Sequence, residues 1–168
     1  MRIQISKKAV LSVLLLVALL FLRMFVFSPI TVSGVSMEPT LHSGEKGFIV
    51  KSGKLNRGDI ICFVGNKEKE EIFIKRVIGM ADDPILLHEN KVFVNGIELE
   101  EGYLIDYPPN SNYHLTPQTE EAFTVPPDTY FVMGDNRVNS IDSRNIGFVE
   151  QEDVWGKLVF SYGFKTYK

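Results

Sequence analysis

The chain has 168 residues and a formal net charge of -3 at pH 7, which suits one domain plus an appended segment and leaves no basic block for nucleic acid. Hydrophobic residues make up 45% and aromatic ones 11%, enough for a buried core that leans toward strands. The lone cysteine, Cys62, excludes an internal disulfide framework and a cysteine-rich zinc site, and its place in the apolar run from Ile60 to Val64 reads as a small core residue.

The first predicted element is apolar. Arg2, Lys7 and Lys8 precede positions 9–27, a stretch interrupted by one charge, Arg23. A helix needs about 20 residues to cross a bilayer. Positions 9–27 are therefore expected to form a single transmembrane helix, with Arg23 near its outer end and its guanidinium reaching the headgroups. The basic residues in front predict a cytoplasmic segment 1–8 and an exported body over 28–168. A cleaved secretory signal would share the basic and apolar parts. No A-x-A site follows, however, and Met24-Phe25-Val26-Phe27 is bulky where small residues would be needed, so retention is favoured.

Ser28-Pro29 is expected to end the helix. Beyond it, short β-rich runs dominate, at 47–51, 59–64, 72–78, 91–94, 97–99, 129–133 and 154–164. Asn95-Gly96, between Val92-Phe93-Val94 and Ile97-Glu98-Leu99, is a strong two-residue hairpin signal. Positions 65–71 read as an exposed hairpin loop. Positions 105–127 hold five prolines and read as an excursion or flap outside the core. The expectation is a mainly β body with a small accessory β excursion at about 80–130, preceded by one transmembrane helix.

Three segments could carry chemistry. In the first, Ser33 to Leu41, Gly34 frees the backbone and Pro39 stiffens it, so Ser36 stands on a defined bend. The plainer reading is a polar linker with a turn. In the second, Ile72 to Gly79, strand alternation places Lys75 with Phe73 and Val77. An edge-strand lysine that deters aggregation is one reading. A desolvated amine is the other: burial lowers a lysine pKa, and a neutral amine can deprotonate a serine hydroxyl. The third, Gly134 to Arg144, alternates acids and arginines, as a capped loop or an ion-paired scaffold under a site would. The three histidines, His42, His88 and His114, match no metal spacing, and no sequence pattern supports a histidine triad.

Together these segments resemble the type I signal peptidases of bacteria, in the single-anchor form of Gram-positive species. Ser33 to Leu41 is similar to the family's nucleophile box, Asn56-Arg57-Gly58-Asp59-Ile60-Ile61 to its strand box, Ile74-Lys75-Arg76-Val77-Ile78-Gly79 to its lysine box and Gly134 to Arg144 to its last box, in family order. The resemblance implies a signal-peptidase-like fold and a membrane-bound serine endopeptidase that cleaves signal peptides from exported preproteins after small residues. It implies Ser36 as nucleophile, Lys75 as general base, and Ser140 as the residue that orients the lysine amine. Arg76 with Asp135, and Asp142 with Arg144, would be supporting ion pairs.

The Ser36 N–H would help bind the oxyanion. Gly34, standing where some relatives have a hydroxyl side chain, leaves the second donor to a backbone N–H or water. After Gly79 the chain departs from the family's proline-glycine turn with Met80-Ala81-Asp82-Asp83.

The substrate is expected to lie extended beside a strand edge. Ile30, Val32, Met37, Phe73 and Ile74 are expected to line its pockets, with Met37 also touching lipid. Signal-peptide-bearing preproteins and membrane lipid are the implied partners. No cofactor, metal or nucleic acid is expected, and no feature speaks to oligomeric state. Two rivals share the scaffold. A self-cleaving repressor-type peptidase would carry a DNA-binding domain in place of positions 9–27. A catalytically silent, membrane-tethered assembly factor or chaperone would usually lose Ser36 or Lys75.

Overall fold

Alternating apolar and polar residues fold the body into antiparallel hairpins. The computed structural model describes residues 6–51, 53–104 and 121–163. Helix α1 (Lys7–Phe25) leads into strands β1 (Phe27–Thr31), β2 (Lys46–Val50), β3 (Ile60–Asn66) and β4 (Glu71–Gly79). A small group follows: β5 (Pro84–His88), β6 (Lys91–Val94), β7 (Ile97–Glu98) and β8 (Phe123–Thr124). Then come β9 (Thr129–Met133), the short α2 (Ser143–Ile146), β10 (Val149–Glu150) and β11 (Val154–Tyr162).

The strands form two sheets. The larger has the order β1-β2-β11-β3-β4-β9-β10, and the smaller β7-β6-β5-β8. The β6–β7 hairpin turns on Asn95 (φ 55°) and Gly96 (φ 74°), the two positive-φ residues that a tight hairpin requires. The β3–β4 hairpin aligns Ile61 with Lys75 and Cys62 with Ile74.

The small sheet packs on the large one through Ile78, Ile85, Leu87, Val92, Val94, Val125, Phe131 and Met133. A second cluster joins Ile61, Phe63, Val77, Tyr130, Val132 and Val149. Full burial of one such side chain contributes about 1.5–3 kcal/mol. These clusters fix β4, the strand that carries Lys75, between β3 and β9. Among the described residues β9 joins β4 only from Arg76 onward, so Lys75 stands on a free strand edge, but it is 4% exposed and so is not the solvated lysine that deters aggregation.

Other expectations also shift. Pro29 lies inside β1, an edge strand, where a missing N–H leaves no ladder bond unmade. Of the predicted 105–127 excursion, 105–120 lies outside the described residues. The remainder is not outside the core: β8 pairs with β5, and Val125 is fully buried. Helix α1 spans 19 residues and includes Lys7, Lys8 and Arg23. Among the described residues no helix is long and apolar enough to cross a membrane.

Candidate active site

The turn between β1 and β2 presents Ser36 because its neighbours are pulled the other way. Met37 and Leu41 are buried with Val32 against Ile60, Ile74 and Leu158. The Leu41 N–H donates to Met37 O at 2.9 Å, and the Glu38 N–H to Val35 O at 3.1 Å. Gly34 has φ +85°, the left-handed region that favours glycine, and its N–H donates to Ser43 Oγ at 3.3 Å. A second loop grips the turn. The Asn136 N–H donates to Ser36 O at 3.0 Å, and Asn136 Nδ2 to Val35 O at 3.2 Å. A Cβ at Gly134 would collide with Ser36 O and Ser140 Oγ, so only glycine lets the two loops meet.

Lys75 reaches this turn from the middle of β4. Its Nζ lies 2.8 Å from Ser36 Oγ and 2.9 Å from Ile74 O. The residue is 4% exposed, and the Phe73 ring centroid lies 5.2 Å from the amine. Burial lowers the amine pKa to about 8, against the opposing pull of the Asp142 and Asp135 carboxylates. An amine so poised is neutral over much of the mildly alkaline range and can take the proton of the hydroxyl it touches.

The loop from Gly134 to Arg144 supplies the negative charge beneath. Asp142 is fully buried. It accepts Arg144 Nε at 2.8 Å and Nη2 at 2.9 Å, the Gly134 N–H at 2.9 Å and the Ser140 hydroxyl at 2.7 Å. Burial would raise its pKa, but these donors outweigh burial and hold the carboxyl below the usual aspartate range. It also caps α2, accepting the Arg144 N–H at 3.2 Å.

Arg76 meets Asp135 through two bonds, Nε to Oδ1 at 2.8 Å and Nη2 to Oδ2 at 2.6 Å. Its Nη1 donates to Gly58 O at 2.8 Å, and Thr40 Oγ1 donates to Asp135 Oδ2. Asp59 accepts Lys157 Nζ at 3.1 Å, which ties the strand box to β11.

A groove of about 750 Å³ opens over the pair. Ile30, Val32, Met37, Phe73 and Ile74, the predicted lining, all border it, together with Ile72, Cys62 and Trp155. Two of its walls have backbone to offer. Among the described residues, β1 pairs with β2 alone, and the Glu71–Lys75 half of β4 pairs with β3 while β9 joins only from Arg76 onward. Cys62 lies at the floor, and burial pushes its thiol up to about 12, well away from nucleophilic use.

Two expectations are corrected. Ser140 does not bond the lysine amine among the described residues: its hydroxyl donates to Asp142, a stronger acceptor than a neutral amine already beside Ser36. Met37 is 1% exposed, so its contact with lipid fails; its side chain belongs to the core cluster that holds the turn.

Sequence reading also missed Asn136, Thr40 and Gly134 as the grips on the Ser36 turn. Thr40 stands in the first box and Gly134 and Asn136 in the last, but only the fold brings the two boxes together. Among the described residues, no group of three or more His, Cys, Asp or Glu could hold a metal ion.

Comparison with known proteins places this geometry. The family model described as "Signal peptidase, peptidase S26" matches residues 5–163. Signal peptidase I P of Bacillus subtilis subsp. natto is 42% identical over 163 residues, covering 91% of this chain and 86% of the relative. Signal peptidase I U of Bacillus subtilis (strain 168) is 38% identical over 168 residues, covering 94% and 88%. The crystal structure of a signal peptidase I from Enterococcus faecalis V583 superposes with a TM-score of 0.54 at 34% identity, covering 64% of this chain and 98% of that one.

Proposed function

The chain belongs to the signal peptidase family, peptidase S26, and on that premise we propose that it cleaves signal peptides with Ser36 as nucleophile and Lys75 as general base. The observation that carries the proposal is the 2.8 Å approach of a buried, pKa-lowered amine to a serine hydroxyl at the floor of a groove. A catalytically silent scaffold has no use for a desolvated amine in that place.

The steps follow from the geometry. The substrate lies extended in the groove, where unpaired backbone of β1 and of the first half of β4 offers ladder bonds, and where apolar walls receive small side chains. Lys75 accepts the Ser36 proton as Oγ attacks the scissile carbonyl, and the new C–O bond makes a tetrahedral oxyanion. Among the described residues the Ser36 N–H has no protein acceptor, so it is free to donate to that oxyanion. The Gly34 N–H is held by Ser43, so the second donor is another backbone N–H or water. Collapse expels the amine of the mature protein, with the proton on Lys75 passing to it, and leaves an acyl-enzyme. Neutral Lys75 then takes a proton from water as it attacks the ester, and returns that proton to the departing Ser36 Oγ, which releases the acyl fragment as a carboxylic acid and restores the dyad.

Arg76–Asp135 and Asp142–Arg144 support these groups from beneath, and Ser140 acts on the lysine through Asp142. Positions 9–27 form the proposed single anchor, with 1–8 cytoplasmic and 28–168 an extracytoplasmic peptidase domain that includes the excursion at about 80–130. The exposure of Val10, Leu11, Val13, Leu14 and Leu15 on successive faces of α1 supports an apolar surrounding for that helix. The lysines near its start would sit at the headgroups. Preproteins and membrane lipid are the partners this arrangement fits.

The test is cleavage of a signal-peptide-bearing precursor by wild type, Ser36→Ala and Lys75→Ala. Both variants are expected to lose processing by at least about 10³-fold. Processing at the wild-type rate by either would remove that residue from the mechanism.

A further inference from the structure

A short segment outside the four sequence boxes ties the site's two ion clusters together. It follows β7 and comprises Glu101 to Leu104, closed by the Leu104 N–H on Glu101 O at 2.9 Å. Glu101 pairs with Arg137, with side-chain exposures of only 9% and 0%. Arg137 Nη1 donates to Glu101 Oε2 at 3.1 Å, and Nη2 donates to Oε1. Arg137 Nε donates to Gly134 O at 3.0 Å. Glu101 thus fixes the arginine that holds the carbonyl of Gly134, the residue pressed against Ser36. The next-but-one residue of that loop, Asn136, carries the bond to Ser36 O.

Tyr103 completes the link. Its hydroxyl donates to Glu101 Oε1 at 2.8 Å. Its ring lies 4.0 Å from Arg76 Cζ, within cation–π range. Arg76 follows Lys75 in β4 and is held by Asp135, which also accepts from Thr40 in the Ser36 turn. One glutamate and one tyrosine therefore touch both supports: Gly134–Asn136 under Ser36, and Arg76–Asp135 beside Lys75. Burial raises the Tyr103 phenol above its ordinary range, so the hydroxyl remains a donor at working pH.

We infer that Glu101 and Tyr103 are positioning residues that set the Ser36–Lys75 approach, through which the segment after the small sheet adjusts the rate of the chemical step. The inference rests on the dyad reading above. A misplacement of reacting groups near 1 Å can cost about 100-fold in rate, so the effect belongs in kcat rather than in substrate affinity.

The experiment is precursor cleavage by the full chain carrying Tyr103→Phe, Tyr103→Trp, Tyr103→Ala or Glu101→Gln. All are assayed well below their melting temperatures beside Ser36→Ala. The expected kcat is about 10- to 100-fold lower for Tyr103→Ala and several-fold lower for Tyr103→Phe and Glu101→Gln, with KM within about twofold of wild type. Tyr103→Trp, which keeps a ring over Arg76, should recover much of the Tyr103→Ala loss. Folded Tyr103→Phe and Glu101→Gln enzymes turning over at the wild-type rate, or losses carried in KM, would overturn the inference. With Ser36→Ala inactive, that result would leave the dyad standing; an active Ser36→Ala would instead overturn the dyad reading beneath it. Should Tyr103→Ala not fold, the two milder variants decide the matter.

Discussion

The Lys75 amine sits where burial penalises its charged form and where Asp142 and Asp135 favour it; burial wins, and the pKa falls to about 8. The sign of the consequence follows. A base works only when neutral, so activity should climb as pH rises through the lowered value and level off above it. The kcat/KM profile of precursor cleavage is expected to show an ascending limb near 8, far below a free lysine at about 10.4. A limb found only near the free value would refute the desolvated base. Part of this was legible in the sequence, because strand alternation is local: it placed Lys75 beside Phe73 and Val77 without any knowledge of the sheet. The partner of Ser140 was not legible. A hydroxyl chooses among acceptors by distance and charge, and only the folded loop brings the Asp142 carboxylate within 2.7 Å of it.

At the scale of elements, the loop ending in α2 is held by one carboxylate. Asp142 accepts from Arg144, Gly134 and Ser140 and caps the helix. Its removal would strand a nearly buried arginine and two donors. Asp142→Ala is expected to cost roughly 3–5 kcal/mol of stability, read from denaturant midpoints at pH 7, while leaving cleavage-site choice unchanged. The folded pKa is depressed, so the carboxylate's contribution is present above the unfolded aspartate value of about 3.9 and is lost as pH falls through the lower folded value. The gap between wild type and variant should therefore narrow in acid. A shift in preferred cleavage residues with stability intact would instead put Asp142 in the substrate pocket.

The same scale explains which elements could be foreseen. The β6–β7 hairpin follows from Asn95-Gly96, since turn chemistry is written in two residues. β8 and β10 have two residues each and exist only because β5 and β9 lie beside them. Val125 was hidden by Pro126 and Pro127, whose composition reads as loop although the residue before them closes a core.

For the whole molecule, the decisive arrangement is non-local. β11, near the end of the described chain, lies between β2 and β3, and the Ser36 turn meets a loop about 100 positions away in sequence. No local pattern encodes that meeting; the ordered boxes conveyed it through resemblance alone. The other large-scale question is how the body is held at a membrane. α1 at 19 residues would be roughly 28 Å long against a hydrocarbon core of about 30 Å, with charged residues in it that need headgroups. The body offers a competing attachment, because Phe48, Phe160 and Tyr162 are exposed near one another on β2 and β11. Washing membranes at alkaline pH separates the two. The full chain should remain in the pellet, whereas a chain beginning at Phe27 should be released and still cleave a short soluble peptide spanning a cleavage site. The anchor contributes by concentration: a tethered enzyme and a membrane-inserted precursor meet in two dimensions, so the shortened chain should lose most of its advantage on precursors in vesicles while keeping its rate on the peptide. Retention of the shortened chain through the wash would transfer the attachment to the aromatic face and remove α1 from that role.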